Sequence, residues 1–136
     1  MNNPMIKPKQ QRFNGLWLTV AIVSLALLMI LTHWPQEKMP VDINRFGLDK
    51  IAHAAVYAGL AWLFLKGIPP GRTNVGWFGV VCGLVCIAVL DEMTQPFFNR
   101  QFDLFDIAAD AVGIFACMIL MYSKSERSRQ FDNTNL

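Results

Sequence analysis

Charge is what this sequence has least of. Of its 136 residues only 16% are Asp, Glu, Lys or Arg, against roughly a quarter in an ordinary soluble domain. The formal net charge is +2, and no basic stripe or nucleic-acid motif runs through the chain, which excludes nucleic acid as a partner. Cysteine is scarce too. Cys82, Cys86 and Cys117 all fall inside apolar blocks, none in a loop where an oxidising compartment could pair it. Cys82 and Cys86 stand four apart on one helix face, and all three read as small packing residues, not as a redox or metal site. There is no G-x-S-x-G, and the serines at 24, 123, 125 and 128 lie far from the charged segments, so covalent Ser or Cys catalysis has no support. Internal repeats and a second domain are also lacking.

What the chain has is apolar residues, 54% of the total, gathered into blocks of 15 or more instead of spread with the period of an amphipathic helix or strand. That is the pattern of a membrane protein. Four blocks predict a single all-α membrane domain: a bundle of four transmembrane helices over about 14–34, 49–66, 73–93 and 104–122, with tails at 1–12 and 123–136. No small-x-small cleavage site follows the first block, so it reads as a retained helix and not a signal peptide. The second block is short and spans only if Asp49 and Lys50 lie in one interface while Lys66 snorkels into the other. Asp49 reads as its N-cap. In the third block Gly79 and Gly83 form a G-x-x-x-G pair, which suits packing inside the bundle or, more sharply, homodimerisation.

Four helices put both termini on one side. With the termini inside, eight of the twelve Lys and Arg residues are inside and four outside, so the expected topology is N-in, C-in. Eight of the ten acids then collect at the outer end. Acids barely influence topology, so their asymmetry needs another cause.

That cause is read as an outer-face polar site on helices 2 to 4. On helix 2, Asp49, His53 and Tyr57 are spaced four apart and share a face, with Lys50 beside them. Helix 3 ends on Asp91, Glu92 and Gln95. Helix 4 carries Asp103, Asp106 and Asp110 at spacings of three and four, with Arg100 just before it. An ionisable residue at the centre of a membrane helix costs about 2.5–3.5 kcal/mol or more. Three helices presenting such groups at one depth therefore read as a site, although a hydrogen-bonded clamp neutralised by Arg100 would use the same residues.

Asp49-Lys50-x-x-His53-x-x-x-Tyr57, then Asp91-Glu92-x-x-Gln95, then Arg100, Asp106, Asp110 and Gly113, resembles the VanZ-like family over helices 2 to 4. The resemblance implies a small multi-pass protein of a bacterial cytoplasmic membrane, in a family named for an association with resistance to the glycopeptide teicoplanin. Its implied motif residues are Asp49, Lys50, His53, Tyr57, Glu92, Gln95, Arg100, Asp106 and Gly113. Two departures stand out: the family often has Asn where this chain has Asp110, and Pro-Gly where Phe98-Asn99 precedes Arg100, with the spacing from Gln95 to Arg100 one residue short.

The leading functional expectation is a non-enzymatic site that binds a cell-envelope component or an envelope-targeting glycopeptide. Arg100 would be the anion-binding group, with Phe97, Phe98, Phe102 and Phe105 at the interface. The alternative is an intramembrane enzyme acting on a lipid-linked envelope substrate, with Glu92 and Asp106 as acid and base and His53 as shuttle. No cofactor and no metal is assigned. A divalent-cation site of Asp49, His53, Glu92, Asp106 and Asp110 is a weaker reading, because no pair has a recognised ligand spacing; its oxygen-rich donors would suit Mg²⁺ or Ca²⁺ more than zinc. A transmembrane proton path is weaker still, since the inner halves of the helices carry no ionisable residue.

Overall fold

The computed structural model describes residues 13–34, 47–68 and 75–134; the tail expected at 1–12 lies outside them. The elements are α1 (Gly15–Thr32), α2 (Leu48–Gly67), α3 (Val75–Thr94), a 3₁₀ turn (Gln95–Phe98) and α4 (Leu104–Thr134), with no strand among the described residues. All four α-helices are long and apolar enough to cross a membrane. At 1.5 Å per residue, the 18 residues of α1 reach about 27 Å, close to the thickness of a hydrocarbon core. The chain folds as an all-α four-helix bundle of the multi-pass membrane type.

The outer faces of the helices are consistent with a lipid solvent. Leu27, Leu31, Phe78, Val112 and Leu120 are among many large apolar side chains more than half exposed, far beyond the patch a soluble monomer tolerates. Inside, Tyr57, Leu60, Ala61, Val81, Leu84, Ala88, Ile114 and Cys117 form the apolar core.

α2 and α4 are the central pair, and Gly113 sets their separation. A Cβ at Gly113 would lie 2.0 Å from the Ala54 carbonyl oxygen and 2.8 Å from its carbon. Both are backbone atoms that cannot swing away, so only hydrogen fits. The expected packing role of Gly113 is therefore met at one atomic contact. Gly79 and Gly83 differ: a Cβ at either would meet nothing within 4 Å among the described residues. Packing inside the bundle, the first of the two readings of that pair, is therefore not seen among the described residues. Cys82 and Cys86 are exposed on the same helix, and of the three cysteines only Cys117 packs in the core.

α1 joins α2 at the end opposite the acids. The Asn14 N–H donates to the Gly67 carbonyl at 2.9 Å, and Trp17 meets Trp62 edge to face at 5.2 Å. Lys66 lays its ammonium over both indoles, 5.9 and 5.4 Å from the ring centres. An ammonium snorkelling among tryptophans is the arrangement of a membrane–water interface.

Two boundaries depart from expectation. α2 begins at Leu48 with Gly47 as N-cap in the left-handed region at φ 67; Asp49 is thus inside the first turn, where it favours the helix dipole without capping. α4 continues through Thr134 instead of ending near 122. Its 31 residues reach about 46 Å, so the final turns outrun a bilayer core. Ser, Lys, Glu and Arg there form helix well once the apolar half has nucleated it.

Candidate functional site

The C-terminal ends of α1 and α3 and the N-terminal ends of α2 and α4 meet at one end of the bundle. A hydrogen-bond network links all four helices there.

Asp103 starts α4. Its side-chain Oδ1 accepts the Phe105 N–H at 2.8 Å, and its backbone carbonyl accepts the Asp106 N–H at 3.1 Å. This N-cap satisfies donors that a helix start leaves open. The other Asp103 oxygen accepts from the Lys50 ammonium at 2.5 Å. That bond, followed by the one from Phe105, holds the Asp103 carboxyl below the usual carboxylate range. Lys50 also donates to Asp106 Oδ1 and, at 3.2 Å, to Asp49 Oδ2. One ammonium from α2 thus collects three carboxylates, one from α4 and one from the N-cap of α4.

A turn deeper, the His53 Nδ1 lies 3.0 Å from Asp110 Oδ1. Its Nε2 lies 3.8 Å from Asp106 Oδ2. From α3, Glu92 enters fully buried. Its Oε1 accepts from the Gln95 amide at 2.6 Å, and its Oε2 accepts the Asp103 N–H at 3.2 Å. Donor atoms of His53, Glu92 and Asp106 lie within 4.8 Å of one another.

Asp91 goes elsewhere. Neighbouring residues on a helix point about 100° apart, so Glu92 faces α2 and α4 while Asp91 faces α1. There the Thr32 hydroxyl donates to Asp91 Oδ1 at 2.7 Å, and the His33 Nδ1 lies 3.5 Å away. His33 also places its Nε2 2.8 Å from the Thr94 hydroxyl and packs edge-on against Phe98 at 4.6 Å. Thr32, His33 and Thr94 were not singled out from the sequence. The available signal was that Thr32 and His33 close the first apolar block at the depth where the acids gather.

Of the expected residues, the fold therefore brings Lys50, His53, Glu92, Gln95, Asp106 and Asp110 together, with Asp103 and, through Lys50, Asp49. Tyr57 lies below them in the apolar core, 1% exposed. Arg100 is not the neutralising cation: its guanidinium enters no ion pair among the described residues, and only its backbone N–H is engaged, donating to the Gln95 carbonyl at 3.3 Å. Lys50 takes that role because it rises from the first turn of α2 directly opposite the first turn of α4.

The network does not close on itself. Asp110 Oδ2, Asp91 Oδ2, Asp49 Oδ1 and the Tyr57 hydroxyl are buried atoms that lack a hydrogen-bond partner among the described residues. Such groups cost about 1–3 kcal/mol each when nothing meets them.

No protein-family model matches the chain, and no curated protein or solved structure matches it either. Fold and site alone define the class: a multi-pass membrane-type bundle with a buried polar cluster at one end.

Proposed function

We propose that this chain acts as a VanZ-like membrane protein of a bacterial cytoplasmic membrane. Its polar end faces outward and binds the head group of a cell-envelope component, or an envelope-targeting glycopeptide of the teicoplanin type. The observation that carries this reading is the unfinished network. A clamp serving only to hold helices would be complete at Lys50, which already ties α2 to α4. Beneath it the chain buries Glu92 at 0%, Asp110 at 1% and Tyr57 at 1% exposure, and leaves an oxygen of Asp110 and one of Tyr57 without a partner. Buried polar atoms left open are atoms available to a ligand.

Arg100 suits the anion-binding role because no carboxylate consumes it, and its backbone bond to Gln95 anchors it beside the residue that orients Glu92. Phe97, Phe102 and Phe105 are exposed at the same end, where aromatic rings favour the head-group level. Asn99 softens one departure from the family pattern. It takes a left-handed φ of 58 at the place where the family often has glycine, and Asn is the residue that best replaces glycine there.

Expression in a glycopeptide-sensitive bacterium tests the reading directly, with binding of purified lipid-linked envelope precursors to the detergent-solubilised protein as a second arm. Wild type should change susceptibility or bind precursor, and Glu92→Gln and Arg100→Ala should weaken the effect. No change in susceptibility together with no precursor binding would refute it.

A second reading, acid–base catalysis on a lipid-linked substrate, is favoured by one observation. The Asp110 carboxylate engages His53 Nδ1, which turns Nε2 toward Asp106 and Glu92, the orientation in which the imidazole could shuttle a proton for that acid–base pair. Turnover of a lipid-linked precursor by wild type and not by His53→Gln would favour it over simple binding.

A further inference from the structure

We infer that His53, Glu92 and Asp106 form a binding site for one divalent transition-metal ion of the zinc or manganese class. The donor atoms of these residues come from three different helices and converge within 4.8 Å of one another. At metal–ligand distances of about 2.1 Å, two ligands of a tetrahedral ion lie about 3.4 Å apart, and no pair on one ion exceeds about 4.2 Å. The 3.8 Å between His53 Nε2 and Asp106 Oδ2 falls within that range. It is too long for a hydrogen bond. Binding the ion would draw the widest pair closer by about 0.6 Å at most.

Each donor is held by a partner of its own. Asp110 engages Nδ1 of His53, so that the imidazole offers Nε2. Lys50 bonds one oxygen of Asp106, leaving the other turned to His53. Gln95 and the Asp103 N–H fix the two oxygens of Glu92, each of which keeps a second lone pair. Carboxylate–imidazole pairing behind the ligand and hydrogen-bonded carboxylate ligands are the supports that metal sites use.

A second observation is independent of the acidic cluster as such. Asp110 is 1% exposed, its Oδ1 is committed to His53, and its Oδ2 has no partner. The Tyr57 hydroxyl one turn below is also buried and unpartnered. Glu92, Asp106 and Asp110 bring three carboxylates into a poorly hydrated space, and Lys50 bonds only Asp106 of the three. A dication offsets the remaining charge where water cannot.

The donor set selects the ion. Asp49 is drawn off by Lys50 and Asp110 is held behind the imidazole. What remains is one nitrogen and two carboxylate oxygens, instead of the oxygen-rich set that would favour Mg²⁺ or Ca²⁺. Zinc takes imidazole and carboxylate together, and manganese is drawn by the two carboxylates. The site would also let an acidic cluster receive a phosphate-bearing head group; that consequence, unlike the site itself, rests on the proposed function.

The test uses the full chain in detergent, stripped with EDTA, reloaded with Zn²⁺ or Mn²⁺ alone and dialysed. Elemental analysis should find about one ion per folded chain, and bound Mn²⁺ should give an immobilised electron paramagnetic resonance signal. Glu92→Gln and Asp106→Asn should abolish retention. Asp110→Asn should weaken it about 10–100-fold. Asp91→Asn, whose carboxylate faces α1, should retain the ion. Circular dichroism and gel filtration identify the variants that fold; Glu92→Gln keeps the size of the side chain and one acceptor oxygen for its two donors, and is the decisive one. Absence of a retained ion in folded wild type, or equal retention by Glu92→Gln and Asp91→Asn, would overturn the inference.

Discussion

At the scale of single residues, two side chains of like charge have opposite fates. Lys50 holds three carboxylates, while Arg100 pairs with none among the described residues. Lys50→Met should therefore destabilise the folded bundle by about 1.5–3 kcal/mol, the scale of a hydrogen bond to a charged group. Arg100→Ala should alter stability by no more than about 0.5 kcal/mol while weakening ligand binding. Equilibrium unfolding in mixed micelles separates the two. Gly113 is the most constrained position in the helix contacts. Gly113→Ala forces a methyl group onto the Ala54 backbone and should cost about 1–3 kcal/mol, the penalty of an overpacked interior. Gly79→Ala, facing open space, should be neutral or slightly stabilising in the monomer, since alanine is the better helix former.

At the scale of elements, α4 is started by Asp103, and α1 is fastened by Thr32. The Asp103 carboxyl titrates below the usual range because Lys50 and the Phe105 N–H favour its charged form. A depressed folded-state value means that its stabilisation is complete above the ordinary carboxylate pKa of about 4 and is lost as pH falls through the lower folded value. The stability gap between wild type and Asp103→Asn should accordingly be constant near neutral pH and close in acid; a gap independent of pH would mean that the charge contributes nothing. Thr32→Val removes the hydroxyl donor of Asp91 and leaves a buried carboxylate oxygen without it, at about 1–3 kcal/mol. Because the loss is local to the α1–α3 joint, protease accessibility of α1 should rise before the α2–α4 pair unfolds.

At the scale of the whole molecule, the bundle is polarised. One end carries Trp17, Trp62 and Lys66 in mutual contact, and the other carries the acids. With four crossings, topology reporters fused at the two termini should lie on the same side, and a reporter inserted between Asn99 and Gln101 on the other. The excess of Lys and Arg at the terminal side predicts that this side is the cytoplasmic one. Reporters on opposite sides would break both the four-span reading and the outward placement of the site.

The hydropathy of the chain alone determined the class of fold, because a backbone in hydrocarbon must satisfy its own hydrogen bonds and the helix does so within one segment. It also determined which residues share an end of the bundle, since span number and helix spacing place Lys50, His53, Glu92, Asp106 and Asp110 at one level. Which of them touch was beyond it. Helical spacing places a residue on a face of its own helix, but the rotation and separation of neighbouring helices depend on contacts such as Gly113 on Ala54. Only those contacts chose Lys50 over Arg100 as the counter-ion, turned Asp91 toward α1 and Glu92 toward α2 and α4, and left the Gly79–Gly83 face outward. They also brought one imidazole and two carboxylates close enough to share an ion. No ligand spacing along the chain could signal that set, because its three members lie on three helices and meet only when the helices pack.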